Sequence, residues 1–184
     1  MEKSGRTDFS KIRDIALMSL MSAVIAVSSW ITIPYTVPFT MQTFAVFLSL
    51  RLLGGKKGTV SVILYVLLGA VGLPVFSGFR GGIGVLAGPT GGYITGFILA
   101  AVLYMIFEKK TSGRAGAYIV MTAGLILCYL AGTVQFSLVV NGSLRSFPAA
   151  LATCVLPYII PDAVKIILAD ITGSKIAKAA GLRR

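Results

Sequence analysis

The chain has 184 residues, of which 56% are hydrophobic and only 12% charged, with 17 Lys and Arg against 6 Asp and Glu. A soluble domain carries about 25% charged residues, so this deficit, with a mean hydropathy of +0.89, reads as a polytopic membrane protein exposing apolar side chains to lipid. Histidine is absent, which excludes histidine metal sites and His-based triads, and the basic residues punctuate apolar runs instead of forming a surface for nucleic acid.

Residues 1–14 are polar and of mixed charge, with Ser10 or Asp14 placed to cap the helix that follows. The first apolar run, 15–33, meets the ~20-residue length of a span. It carries two small-xxx-small pairs, Ser19/Ala23 and Ser22/Ala26, which allow another helix to approach closely in lipid. Trp30 and Tyr35 mark an interface, and Pro34 and Pro38 end the helix. The second span, 39–53, is short, with Gln42 and Thr43 at its proline-bearing end and Arg51 placed to snorkel from the other. A third span covers 58–73.

Next comes Gly72 to Tyr93, GLPVFSGFRGGIGVLAGPTGGY, whose only charge is Arg80. Its glycines would favour disorder, but its apolar side chains imply packing, so it reads as an ordered wall or lid over a small-molecule site. Spans at 91–107, 117–140 and 148–171 follow. Cys128 and Cys154 lie in these apolar runs without metal-ligand spacing and read as buried small hydrophobes. Asp170 falls near the end of the last run and reads as interfacial.

Alternating sides puts 13 Lys and Arg at one face of the membrane, leaving Arg80 and Arg145 at the other. The positive-inside rule then predicts an all-α protein of six transmembrane helices in one domain, 1–184, with both termini cytoplasmic. All seven prolines (34, 38, 74, 89, 148, 157 and 161) fall on the outer side. Irregular backbone at membrane depth is tolerated where it lines a cavity, so a cavity should open outward beneath the glycine-rich loop between helices 3 and 4.

Asp162 and Lys165 share a helix face inside the last span. Each charge costs about 2.5–3.5 kcal/mol at the centre of a helix in a bilayer, which favours a role in binding over one in rigidity. No nucleophile–base pair and no second carboxylate can be assembled beside them, so an enzyme is not predicted. No GxxxxGK[ST] loop occurs. The chain therefore reads as a binding subunit driven by something else.

Three stretches in order, VPFTMQTF, GLPVFSGFRGGIGVLAGPTGGYITGF and LPYIIPDAVKIILA, resemble the BioY family, the biotin-specific S components of energy-coupling factor (ECF) vitamin transporters. The resemblance implies a multi-pass protein of a prokaryotic cell membrane that captures biotin from outside. Its partners would be a transmembrane T component and a pair of cytoplasmic ATPases, which use ATP while this chain holds no cofactor. An S component for another small vitamin or heterocycle is the alternative. On this resemblance Gln42, Thr43, Gly88, Thr90, Gly91, Tyr93, Asp162 and Lys165 are the binding candidates. Phe79 is added to cover the ligand's rings and Arg80 to meet its carboxylate. Ser19, Ala23, Ser22 and Ala26 are the candidates for partner docking. Family members tend to show AxxxA pairs there, whereas here Leu20 follows Ala16.

Overall fold

The computed structural model describes residues 2–110 and 113–182. Arg183 and Arg184, two of the 13 basic residues counted to one face, lie outside these, as do Thr111 and Ser112. The described chain is helical apart from its turns and one minimal hairpin. Helix α1 covers Glu2–Trp30, and strand β1, Thr32–Ile33, pairs antiparallel with β2, Phe39–Thr40. Then follow α2 (Gln42–Leu53), α3 (Gly55–Ala70), the short α4 (Ile83–Ala87), α5 (Gly91–Phe107), α6 (Gly113–Asn141), α7 (Phe147–Cys154) and α8 (Ile159–Ala179).

Several bounds differ from the sequence expectation for identifiable reasons. The polar leader expected ahead of the first span is helical, so α1 needs no cap at Ser10 or Asp14. The expected second span loses residues 39–41, because Phe39 and Thr40 are held in the hairpin. The last span is broken. Between α7 and α8, Leu156–Tyr158 forms a 3-10 turn with Pro157 in it. Pro161 is the third residue of α8, where a backbone N–H has no intrahelical partner to lose. Among the described residues, three stretches are long and apolar enough to cross a membrane: Ser10–Trp30, Gly113–Val140 and Leu144–Ala179. Gln42–Leu53 and Gly91–Phe107 are apolar but shorter.

Helix α2 is short because it is central. Eight of its twelve residues are buried, and a helix that is apolar nearly all round belongs inside a bundle. It lies on α8, α3 and α1, while α5 makes its broadest contact with α6. That last seam depends on small residues. A Cβ on Gly96 would stand 2.8 Å from the Cα of Cys128, and one on Gly132 would stand 2.2 Å from the Tyr93 ring. Alanine at either position would force the two helices apart.

At one end of the bundle, polar contacts fasten the helices together. Gly54, at φ 84°, turns α2 directly into α3, and the buried N–H of Gly55 donates to Glu108 Oε2 at 2.5 Å. Lys57 Nζ donates to Asp14 Oδ1 at 2.6 Å. Asp170, expected at the interface, is fully buried and bridges Arg51 and Arg114. Helix α8 runs on to Ala179, so Asp170 is more than two turns from its end. Arg51 consequently turns inward to this carboxylate instead of snorkelling outward.

Candidate functional site

A cavity of about 690 Å³, counting the part open to solvent, lies at the other end. Its floor and walls come from the start of α2, the middle of α6, the α7–α8 break and the glycine-rich loop.

The most polar wall is built on α8. Asp162 and Lys165 are 4% and 5% exposed, so neither charge could be tolerated there without partners. Lys165 Nζ donates to Asp162 Oδ1 at 2.8 Å and to the Thr40 carbonyl at 2.7 Å. It also stands 3.8 Å from the centroid of the Phe39 ring, a cation–π contact. Two of its three donors are thereby hydrogen-bonded, and the cation faces an aromatic ring. Asp162 Oδ2 accepts from the Tyr129 hydroxyl at 2.7 Å. A carboxylate offers about four lone-pair sites, so Asp162 is anchored at both oxygens and still has acceptor capacity to spare.

Gln42 lies across the cavity. Its Nε2 donates to the Tyr65 hydroxyl at 2.6 Å, and its Oε1 accepts from Thr40 Oγ1 at 3.0 Å. One amide N–H is left over. Thr43, buried, lines the same wall.

The glycine-rich loop is folded. Phe76 and Arg80 exchange backbone bonds of 2.9 and 3.3 Å, and the Phe76 ring is wholly buried, edge-on to Tyr65. A Cβ on Gly69 would stand 2.0 Å from that ring, so glycine is what admits it. The end of α1 clasps the loop from outside: Ser29 Oγ donates to the Val75 carbonyl at 2.6 Å and Trp30 Nε1 to the Pro74 carbonyl at 3.0 Å. From the far side Gln135 Nε2 donates to the carbonyls of Leu86 and Gly88, at 2.7 and 2.8 Å.

Of the binding candidates, the structure brings Gln42, Thr43, Arg80, Thr90, Tyr93, Asp162 and Lys165 onto one cavity. It does not bring Phe79, Gly88 or Gly91 there. Phe79, in the left-handed region at φ 57°, turns outward and stacks on Trp30 with ring centroids 5.0 Å apart. Phe76 takes the inward place instead. Gly88 and Gly91 shape the turn into α5; a Cβ on Gly91 would stand 1.8 Å from the Leu86 carbonyl oxygen. The docking candidates also separate. Ser19 and Ala23 are exposed on α1, whereas Ser22 and Ala26 are buried within the bundle and unavailable to a partner.

Sequence reasoning missed Tyr129 and Tyr158. The hydroxyl of Tyr158 donates to the Val37 carbonyl and fixes the chain ahead of β2. Tyr129 was detectable only by asking which donor could reach a buried carboxylate 33 residues away.

A model of the BioY family matches residues 1–181. The biotin transporter BioY of Thermotoga maritima is 39% identical over 168 residues, 91% of this chain and 97% of its own. The probable biotin transporter BioY of Pyrococcus horikoshii is 36% identical over 167 residues, 90% of this chain and 97% of its own. A crystal structure of the S-component for biotin from an ECF-type ABC transporter superposes with a TM-score of 0.79 at 27% identity. It covers 92% of this chain and 93% of that one.

Proposed function

The chain belongs to the BioY family, and we infer that it takes up biotin as the S component of an ECF-type transporter. It is a transport protein and not an enzyme. The observation that carries the assignment of the site is Asp162: a buried carboxylate on the cavity wall, held at both oxygens and still able to accept.

Biotin presents two ureido N–H donors and one ureido carbonyl, an apolar bicycle and an anionic valerate tail. Asp162 accepts from the ureido N–H groups. Lys165, which also lines the cavity, holds Asp162 in place or meets the ureido oxygen. The remaining Gln42 N–H, or the Thr43 hydroxyl, serves the ureido carbonyl. Phe76 and Tyr93 flank the bicycle. Arg80, the one cation of the loop, meets the carboxylate, for which a guanidinium has the matching fork.

The same reading places six spans in one domain, formed by α1, α2, α3, α5, α6 and the α7–α8 unit. Both termini face the cytoplasm of a prokaryotic cell, and the 72–90 loop faces outward from its plasma membrane. Support comes from the basic residues at the end away from the cavity, where Lys57, Arg51 and Arg114 all have partners. A T component and a pair of ATPases supply the driving force, and ATP is used by them. Ser19 and Ala23, exposed on α1, contribute to the face that meets the T component.

Calorimetric titration of the purified chain with biotin tests both ligand and site. Wild-type protein binds. Asp162→Asn, which keeps the size and an acceptor for Lys165, should bind at least ~100-fold more weakly, about 2.7 kcal/mol. No heat from the wild type would remove biotin as the ligand; unchanged affinity in the variant would remove Asp162 from the site.

A further inference from the structure

A second hollow, of about 600 Å³ with its open side included, lies at the end of the bundle away from the cavity. It is bounded by Arg13, Leu17, Leu52, Leu53, Lys57 and the Gly181–Leu182 turn. The first turns of α3, the last of α2 and the early part of α1 meet there. Its last wall is made by the way α8 stops. Gly181, at φ 63°, takes the left-handed conformation, and the N–H groups of Gly181 and Leu182 return to the carbonyls of Lys178 and Ala177. This is a Schellman end, and it brings Leu182 to the hollow.

Two chemistries meet in this space. Four leucines, each half-buried, form an apolar surface that extends from the bundle. Above them stand two cations. Lys57 is paired with Asp14 at 2.6 Å. Arg13 is exposed and makes no hydrogen bond or ion pair among the described residues. Two positive charges against one negative leave the rim one charge positive. Water would not require the leucines, and free phosphate would not either. An acyl chain with an anionic headgroup requires both halves, and basic pockets between helices at the cytoplasmic side are where such headgroups are held.

We propose that this hollow binds one anionic glycerophospholipid, its phosphate on Arg13 and Lys57 and an acyl chain along Leu17, Leu52, Leu53 and Leu182. The lipid would fill a seam between α1, α2 and the end of α8, at the end of the molecule remote from the ligand cavity. The proposal depends on the chain spanning a membrane and is independent of which vitamin the cavity holds.

The test is native mass spectrometry of the full chain released from micelles doped with phosphatidylglycerol or phosphatidylcholine of matched chains. The expected result is a phosphatidylglycerol adduct in preference to phosphatidylcholine, not displaced by inorganic phosphate. Arg13→Gln, which leaves no partner unpaired, should lower that adduct about fivefold, the share of one basic side chain near an anionic surface. Leu17→Trp, which fills the hollow, should lower both adducts. Calorimetry with biotin should be unchanged in both variants, showing that each is folded. Equal adducts of the two lipids, full retention in Arg13→Gln, or displacement by phosphate alone would each overturn the proposal. Absence of any lipid adduct would overturn it too.

Discussion

Helix α8 carries two buried carboxylates eight residues apart, about 12 Å along the axis, and they are partnered in opposite ways. Asp162 takes its cation from its own helix, Lys165, and its second donor is a neutral hydroxyl, Tyr129. Asp170 takes both of its cations from elsewhere, Arg51 on α2 and Arg114 on α6. The first arrangement is complete within one helix and one neighbour and lies open to the cavity. The second ties three helices together and lines no part of the cavity. Even the packing differs, since Gly173 on α8 lies against the stem of Arg51, where a Cβ would stand 2.9 Å from it. On the proposed function, the carboxylate kept for a ligand faces the cavity, whereas the one kept for architecture takes its cations from other helices.

The comparison breaks most visibly at Asp170. Replacing it with Asn leaves Arg51, only 17% exposed in its side chain, without a counter-charge. Breaking a buried pair in this way costs about 3–5 kcal/mol. Thermal unfolding in detergent should show a large fall in midpoint, while the protein that remains folded binds biotin within about twofold of wild type, a difference below ~0.5 kcal/mol. Loss of affinity without loss of stability would reverse the two roles. Tyr129→Phe is the complementary change at the other site. It removes one hydrogen bond to a charged group, of the class contributing about 1.5–3 kcal/mol. Biotin affinity should fall at least tenfold by calorimetry, with a smaller fall in unfolding midpoint than Asp170→Asn causes. A stability loss with unchanged affinity would make Tyr129 a packing residue only.

The same pair of residues shows what could be read from sequence. Asp162 and Lys165 stand out because a charge within an apolar run is costly and so demands a reason. Tyr129 does not, because a tyrosine in an apolar run has the same pattern whether it faces lipid, core or a carboxylate on another helix. Asp170 misled because the last span was ended at its last apolar residue, near 171, while the helix continues through polar residues to Ala179. The second helix begins three residues later than hydropathy predicts because Phe39 and Thr40 are held in the hairpin, a pairing that hydropathy does not register. The glycine-rich loop was legible as ordered from its apolar side chains. The exchange between Phe76 inside and Phe79 outside was not, since it turns on two successive left-handed residues, Gly78 and Phe79.

The finest test concerns a neutral side chain that spans from bundle to loop. Gln135 on α6 donates both Nε2 hydrogens to carbonyls at the end of α4, those of Leu86 and Gly88. The last carbonyls of so short a helix have few other partners. Ala at 135 removes both bonds, but the carbonyls are near enough to the surface for water to take them, so each contributes only about 1 kcal/mol. Helix α4 carries Val85 on the cavity wall, and loosening it frees that side of the cavity without touching Asp162. Biotin release measured by stopped-flow should quicken about fivefold, about 1 kcal/mol on the exit barrier, with the unfolding midpoint lowered by less than in Asp170→Asn. If release keeps its wild-type rate while stability falls, the loop is a fixed wall and ligand leaves by another route. A faster release makes the segment 83–90 the gate, held shut by a neutral amide of α6 where α8 relies on charge.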